Sequence, residues 1–154
     1  MSEESPVLIV ANVQKALVQI ACLARKRSEA KFVAVTGSVG KTSSKNLLAK
    51  ALAQFDKVHA TIGNLNNHIG APLSLARLNG SSRFAVFELG MNNTGEIAFL
   101  SNLIRPKVAL ITNVHGVHLE QLKTERAIAE AKAEIFNGLS ENGSVVLNLS
   151  LIHI

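Results

Sequence analysis

Short apolar runs alternate along the chain with amphipathic stretches, and glycine or asparagine clusters fall between them. Lys31 to Thr36 (KFVAVT), Val58 to Ala60, Phe84 to Leu89, Val108 to Thr112 and Ser144 to Leu147 are short and rich in β-favouring residues, so they read as strands. The intervening segments Thr42 to Gln54, Ala71 to Leu78, Glu96 to Ile104 and Thr124 to Leu139 read as helices. Pro72 suits a first turn, and Pro106 stops the segment before it. Ahead of the first strand, Val13 to Arg27 places Val13, Leu17, Ile20 and Ala24 at helical spacing and ends in a basic turn. Strands apolar on both faces and separated by helices require a parallel sheet covered on both sides. The expected fold is therefore α/β, a doubly wound, mostly parallel sheet. Ligands of such sheets sit beyond the carboxyl ends of the strands, so the loops at Gly37, Gly90 and Asn113 should converge on one site.

Composition narrows the function classes. The 154 residues are 47% hydrophobic and 18% charged with no low-complexity tract, as expected of one globular domain. The net charge of +5 raises the question of polyanion binding. Its basic residues are scattered apart from Arg25, Lys26, Arg27 and Lys31, and aromatics are only 4%, so the stacking surface of a single-strand binder is missing and no nucleic-acid partner is expected. The single cysteine, Cys22, allows no internal disulfide and reads as a buried helical thiol. The apolar stretch Val7 to Ala24 is broken by Asn12, Gln14, Lys15 and Gln19, and Glu3 and Glu4 stand where a signal peptide would be basic. A cytoplasmic protein without membrane insertion is expected.

The candidate chemistry begins at Gly37-Ser38-Val39-Gly40-Lys41-Thr42, between a strand and a helix. Glycines let backbone N–H groups turn toward an anion, and the helix that follows adds its positive end. Lys41 would meet the β- and γ-phosphates of ATP, and the hydroxyl of Thr42, with Ser43 beside it, would ligate Mg²⁺. The spacing G-x-x-G-K-T is shorter than the general phosphate-loop pattern, so the strand-loop-helix context carries the reading. Glu88 ends an otherwise apolar strand, and a carboxylate there suits Mg²⁺. Lys132 lies four residues from both Ile128 and Phe136 and shares a face with Ile135 and Leu139, which puts a lysine on the apolar side of its helix. Burial would lower its pKa, and the neutral amine could take up CO₂ as a carbamate. The competing reading is a lysine whose head snorkels to water.

Five motifs then stand in order: T-G-x-x-G-K-T, G-N-x-N-N-x-I-G, E-L-G, H-L-E and A-K-A-E-I-F. Together they resemble the central ATPase domain of the Mur ligases, over about Val7 to Asn148. The segments GNLNNHIGAPLSLARL and ELGMNNTGEI favour the branch that adds D-alanyl-D-alanine over sister enzymes adding single amino acids and over folylpolyglutamate synthase. The resemblance implies ATP-driven amide synthesis through an acyl phosphate in peptidoglycan precursor synthesis. For the full-length parent it implies UDP-N-acetylmuramoyl-tripeptide and D-alanyl-D-alanine as substrates. It makes Lys41, Lys132 and His118 the catalytic set, with His118 a second metal ligand and Lys132 carbamylated. By the same resemblance Asn64, Asn66 and Asn67 bind substrate, although asparagines suit a plain turn equally well. Asn113 would approach the nucleotide. His59, His115 and His153 keep a structural reading, and His68, in the substrate loop, stays open.

The resemblance also implies a division of the chain. Residues 1–27 look like the tail of an N-terminal UDP-sugar domain with a linker helix, 28–148 like the central domain, and the C-terminal ligase domain is not represented. One codon choice for Leu149-Ser150-Leu151-Ile152-His153-Ile154 spells the end of a transposon adapter, so residues 149–154 are expected to be a cloning or assembly scar. Genomic DNA that continues unbroken through those codons would sink that expectation. The rival reading is a stand-alone nucleotide-binding regulatory module, which would need no metal pair and so leaves Glu88, His118 and Lys132 without a purpose.

Overall fold

The computed structural model describes residues 7–115 and 124–148. Its elements are α1 (Val13–Lys26), β1 (Lys31–Thr36), α2 (Lys41–Leu52), β2 (Val58–Ala60), α3 (Gly70–Ala76), β3 (Phe84–Glu88), α4 (Glu96–Ile104), β4 (Val108–Ile111), α5 (Glu125–Ala133), a 3₁₀ helix (Glu134–Gly138) and β5 (Ser144–Leu147). The strands form one five-stranded sheet in the order β2-β3-β1-β4-β5, and every pairing is parallel. The doubly wound α/β expectation therefore holds.

Alternation along β1 explains the layering. Val33 and Val35 face α2 and pack with Val86, Leu48 and Leu52, while Phe32 and Ala34 face the larger core with Phe87, Leu75, Ile97, Leu100 and Ile128. Phe32 and Phe87 stack across the two strands, with ring centroids 5.9 Å apart. The half-buried His59 lies over Phe87 and meets the Ser74 hydroxyl at 3.2 Å, and burial lowers its pKa, in keeping with a structural histidine.

Two helices depart from the sequence expectation. α1 packs on α3 and α4 through Ala21 and Ala24, flanked by Val18 and Cys22, whereas Val13 and Ile20 of the expected apolar stripe are exposed. The small alanines win that contact because they allow close approach. Cys22 is half-buried rather than buried. Arg25, expected as part of a solvated cluster, instead clamps the end of α4. Its guanidinium donates to the carbonyls of Ile104 (2.6 Å) and Arg105 (3.1 Å) and lies over the Phe32 ring.

The long helix expected over Thr124 to Leu139 stays α-helical only to Ala133 and tightens to 3₁₀ from Glu134. Contact with α4 dictates the change. The Ser101 hydroxyl donates to the Ile135 carbonyl and accepts from the Gly138 N–H, and a Cβ on Gly138 would fall 2.0 Å from the Ser101 carbonyl oxygen. Glu134 then reaches back and accepts from the N–H groups of Gly95 (2.6 Å) and Ala98 (3.1 Å), capping α4, whose own N-cap glycine has no side chain. Other boundaries shift by a residue or two at helix and strand ends.

Candidate active site

β1 is the central strand, and the chain leaves its two sides in opposite directions, so the crevice of the sheet opens at its carboxyl end. The register Val35↔Glu88 places the acid of β3 beside the loop that follows β1. Gly37 adopts φ +151°, and a Cβ there would lie 1.9 Å from the Thr112 hydroxyl oxygen, so only glycine permits this turn. Gly40, at φ +80°, caps α2 without a side chain and leaves the first N–H groups of that helix facing the loop.

β4 holds the tip of the loop from the other side. The Ser38 N–H donates to the Asn113 carbonyl (3.1 Å) and the Val39 N–H to Asn113 Oδ1 (2.9 Å), while the Thr112 hydroxyl donates to the Val39 carbonyl (2.7 Å). The Ser38 hydroxyl and the His115 backbone exchange two further bonds. Asn113 thus latches the loop, and His115 joins through its backbone. The Lys41 ammonium donates to the Gly37 carbonyl at 2.8 Å, which holds its charge over the loop.

The metal candidates meet one another here. Glu88, only 2% exposed, accepts at Oε2 from the Thr42 hydroxyl (2.8 Å) and at Oε1 from Asn66 Nδ2 (2.8 Å). A carboxylate and a hydroxyl in hydrogen-bond contact are a hard-oxygen pair of the kind Mg²⁺ takes, alongside substrate phosphates and water. No group of three or more His, Cys, Asp or Glu residues able to hold a metal exists among the described residues. His118 lies outside the described residues. Ser43, the neighbour of Thr42, is exposed in the first turn of α2.

Lys132 is buried to 2% exposure, against the snorkelling reading, and no hydrogen bond or ion pair to its ammonium is found among the described residues. Desolvation, with the Lys41 charge adding to it, lowers its pKa from 10.5 to about 8. The charge of Lys41 thus acts against that of Lys132, and an anion held between two such cations would be favourable.

The three asparagines separate in role. Asn66 binds Glu88 and accepts the Gly90 N–H at its carbonyl (2.8 Å). Asn67 Oδ1 accepts from the N–H groups of Ile69 and Gly70 and so opens α3, which is the turn reading made concrete. The Asn64 side chain is exposed, as is that of His68. A cleft of about 220 Å³ lies between Lys41, Asn66, Asn67, Gly90, Asn92 and Glu96. Asn92 and Glu96 were not singled out in the sequence, although the segment carrying them was.

One charged residue escaped the sequence reading altogether. Lys45 is 2% exposed, donates to the carbonyl of Thr61 (2.7 Å) and approaches Glu88 Oε2 at 4.0 Å. The available signal was its spacing: four residues after Lys41, it lies on the same face of α2 as the phosphate-loop lysine.

Known proteins resemble this chain in sequence and fold. The UDP-N-acetylmuramoyl-tripeptide–D-alanyl-D-alanine ligase of Escherichia coli (strain K12) is 45% identical over 143 residues, covering 93% of this chain and 32% of that protein. The ligase of the same name from Buchnera aphidicola (subsp. Acyrthosiphon pisum, strain APS) is 44% identical over 148 residues, 96% of this chain and 32% of its own length. The chain therefore spans about a third of the length of these curated relatives. Among solved structures, crystal structure I of MurF from Acinetobacter baumannii matches with a TM-score of 0.86 at 35% identity, over 94% of this chain and 33% of that one. MurF ligase from Thermotoga maritima in complex with ADP matches with a TM-score of 0.84 at 31% identity, over 96% and 34%. The Mur ligase middle domain itself matches residues 35–151. The fold agrees with those structures and the family match spans most of the chain, and the chain belongs to the Mur ligase middle-domain family.

Proposed function

We propose that this chain is the ATP-binding core of a ligase that adds D-alanyl-D-alanine to UDP-N-acetylmuramoyl-tripeptide in peptidoglycan precursor synthesis. The observation that carries this is the meeting of Lys41, Thr42 and Glu88 at the mouth of the sheet, with Thr42 and Glu88 in direct contact. The names of the relatives supply the substrates, and the ADP of the Thermotoga maritima structure supports a nucleotide in the loop.

Each residue then has a task. The amides following Gly37 and Gly40, with Ser38 and Val39 held by Asn113, cradle the triphosphate. Lys41 holds the β- and γ-phosphates against each other's charge. Thr42, with Ser43 beside it, and Glu88 hold Mg²⁺, which when bound neutralises charge on the phosphates. Lys132, as the carbamate, adds a carboxylate beside Lys41, and His118 completes the second metal site. Asn64, Asn66 and Asn67 orient the peptide, with Asn66 linking that loop to Glu88.

The peptide carboxylate oxygen bonds to the γ-phosphorus as the bond to the ADP oxygen breaks. The amine of D-alanyl-D-alanine next attacks the acyl carbon, loses a proton, and phosphate departs with the electron pair of the C–O bond. The chain by itself binds Mg·ATP weakly and forms little or no product. Peptide labelled with ¹⁸O in its carboxylate, given to a ligase containing this domain, should deliver one ¹⁸O into inorganic phosphate. Unlabelled phosphate accompanying full product formation would contradict the acyl phosphate.

A further inference from the structure

We infer that Lys45 is a positioning residue that ties Glu88 and the loop from Thr61 to Asn67 to the phosphate-loop helix. The inference rests on the reading of Glu88 as the metal-binding carboxylate.

The second turn of α2 carries Lys45 beneath the crevice, where it is 2% exposed. A lysine ammonium has three N–H donors and no acceptor. Here it donates to the Thr61 carbonyl at 2.7 Å and the Gly63 carbonyl at 3.4 Å, and Glu88 Oε2 lies at ion-pair distance, 4.0 Å. Two of them lie on the segment leaving β2 and the third on β3, so one compact charge on α2 reaches both. Thr61 closes the arrangement by accepting the Glu88 N–H at its hydroxyl (3.3 Å), and Asn66 donates to the other Glu88 oxygen.

Such a buried charge is tolerable only when it is paired and hydrogen-bonded, and removing it strands a buried carboxylate. Lys45 is therefore not a phosphate ligand. It balances the charge of Glu88 and fixes the distance between the metal carboxylate and the loop whose asparagines face the cleft. A guanidinium, larger and with five donors in a planar fork, does not match two carbonyls and one carboxylate arranged around a single ammonium.

Two measurements on the full chain test this: amide hydrogen exchange without nucleotide, and binding of a fluorescent ATP analogue in Mg²⁺ or in EDTA. In Lys45→Met the amides of Asn66, Gly70 and Gly90 should exchange about tenfold faster or more, while those of Ser38 and Val39, held by Asn113, keep their rates. Affinity in Mg²⁺ should fall about tenfold and affinity in EDTA by less than about twofold. Unchanged exchange at the three loop amides overturns the proposal whatever the affinities. Equal losses in Mg²⁺ and EDTA overturn it too, because they would put Lys45 on the phosphates. If the unsubstituted chain shows no preference for Mg²⁺, the reading of Glu88 fails, and the exchange rates still decide the role of Lys45. Should Lys45→Met give no cooperative melt, Lys45→Arg is read in the same way, and loop exchange equal to that of the unsubstituted chain overturns the proposal.

Discussion

Replacing Lys41 by methionine should lower the affinity for Mg·ATP by about 100-fold or more, an effect of about 3 kcal/mol for a charge aimed at phosphate oxygens. In the complete ligase the turnover should fall by about 10²–10³. The substitution removes little else. Among the described residues the Lys41 ammonium bonds to the carbonyls of Gly37 (2.8 Å) and Ser38 (3.4 Å), at the half-open mouth of the loop, where water can replace it. The fold rests instead on the glycine turns, the Asn113 latch and the packing of α2 on Val33, Val35 and Val86. Thermal melting should therefore stay close to that of the parent chain while equilibrium nucleotide binding collapses. Retained affinity within about threefold would remove Lys41 from the phosphate site.

The second large effect concerns Lys132 and pH. Its folded pKa of about 8 lies below the ordinary 10.5, so the folded state disfavours its charge. At pH below 8 the lysine is protonated in both folded and unfolded chains, and the whole penalty is present. Between about 8 and 10.5 the unfolded chain binds the extra proton, so the penalty is relieved as pH rises. Its full size is on the order of 3 kcal/mol. In CO₂-free buffer at pH 7, Lys132→Met should be more stable than the parent by an amount approaching that figure, and the gap should close as pH rises to 10.5.

With a pKa of about 8, about a quarter of the amine is neutral at pH 7.5, against about one part in a thousand for an ordinary lysine. That fraction is the reactive one toward CO₂. Its carbamate would replace repulsion with Lys41 by attraction, so bicarbonate should stabilise the parent chain near pH 8 and leave Lys132→Met unchanged. Carbon NMR with ¹³C-bicarbonate should show one carbamate resonance that the variant lacks. A pH profile of stability identical in the two chains would contradict the buried, destabilised ammonium.

The positions of the strands and of the glycine loop were legible because they depend on local signals. Lys31 to Thr36 is apolar on both faces and is followed at once by glycines and a helix, which leaves little choice but a buried parallel strand feeding a phosphate loop. Lys132 was legible in part for a related reason: a lysine in step with Ile128 and Ile135 either enters the core or snorkels out of it, and burial decides for the core. The α1 stripe was misread because hydrophobic spacing cannot rank an exposed Val13 against a small Ala21 that lets helices approach. The 3₁₀ turn after Ala133 and the Glu134 cap depend on α4, whose capped N–H groups lie 36 and 39 residues back along the chain, so no local pattern announces them. Lys45 was missed for the same cause. Its acceptors are backbone carbonyls of a loop after another strand, and carbonyls leave no mark in a sequence.

The central claim is that the triphosphate and its metal lie between the Gly37–Thr42 loop and Glu88. A crystal structure of the chain with Mn²⁺ and a non-hydrolysable ATP analogue tests it most directly, since anomalous scattering places the metal without ambiguity. The account predicts one anomalous peak within coordination distance of the Thr42 hydroxyl and a Glu88 oxygen, with the β- and γ-phosphates against Lys41. A peak elsewhere, or a triphosphate outside the loop, would contradict it.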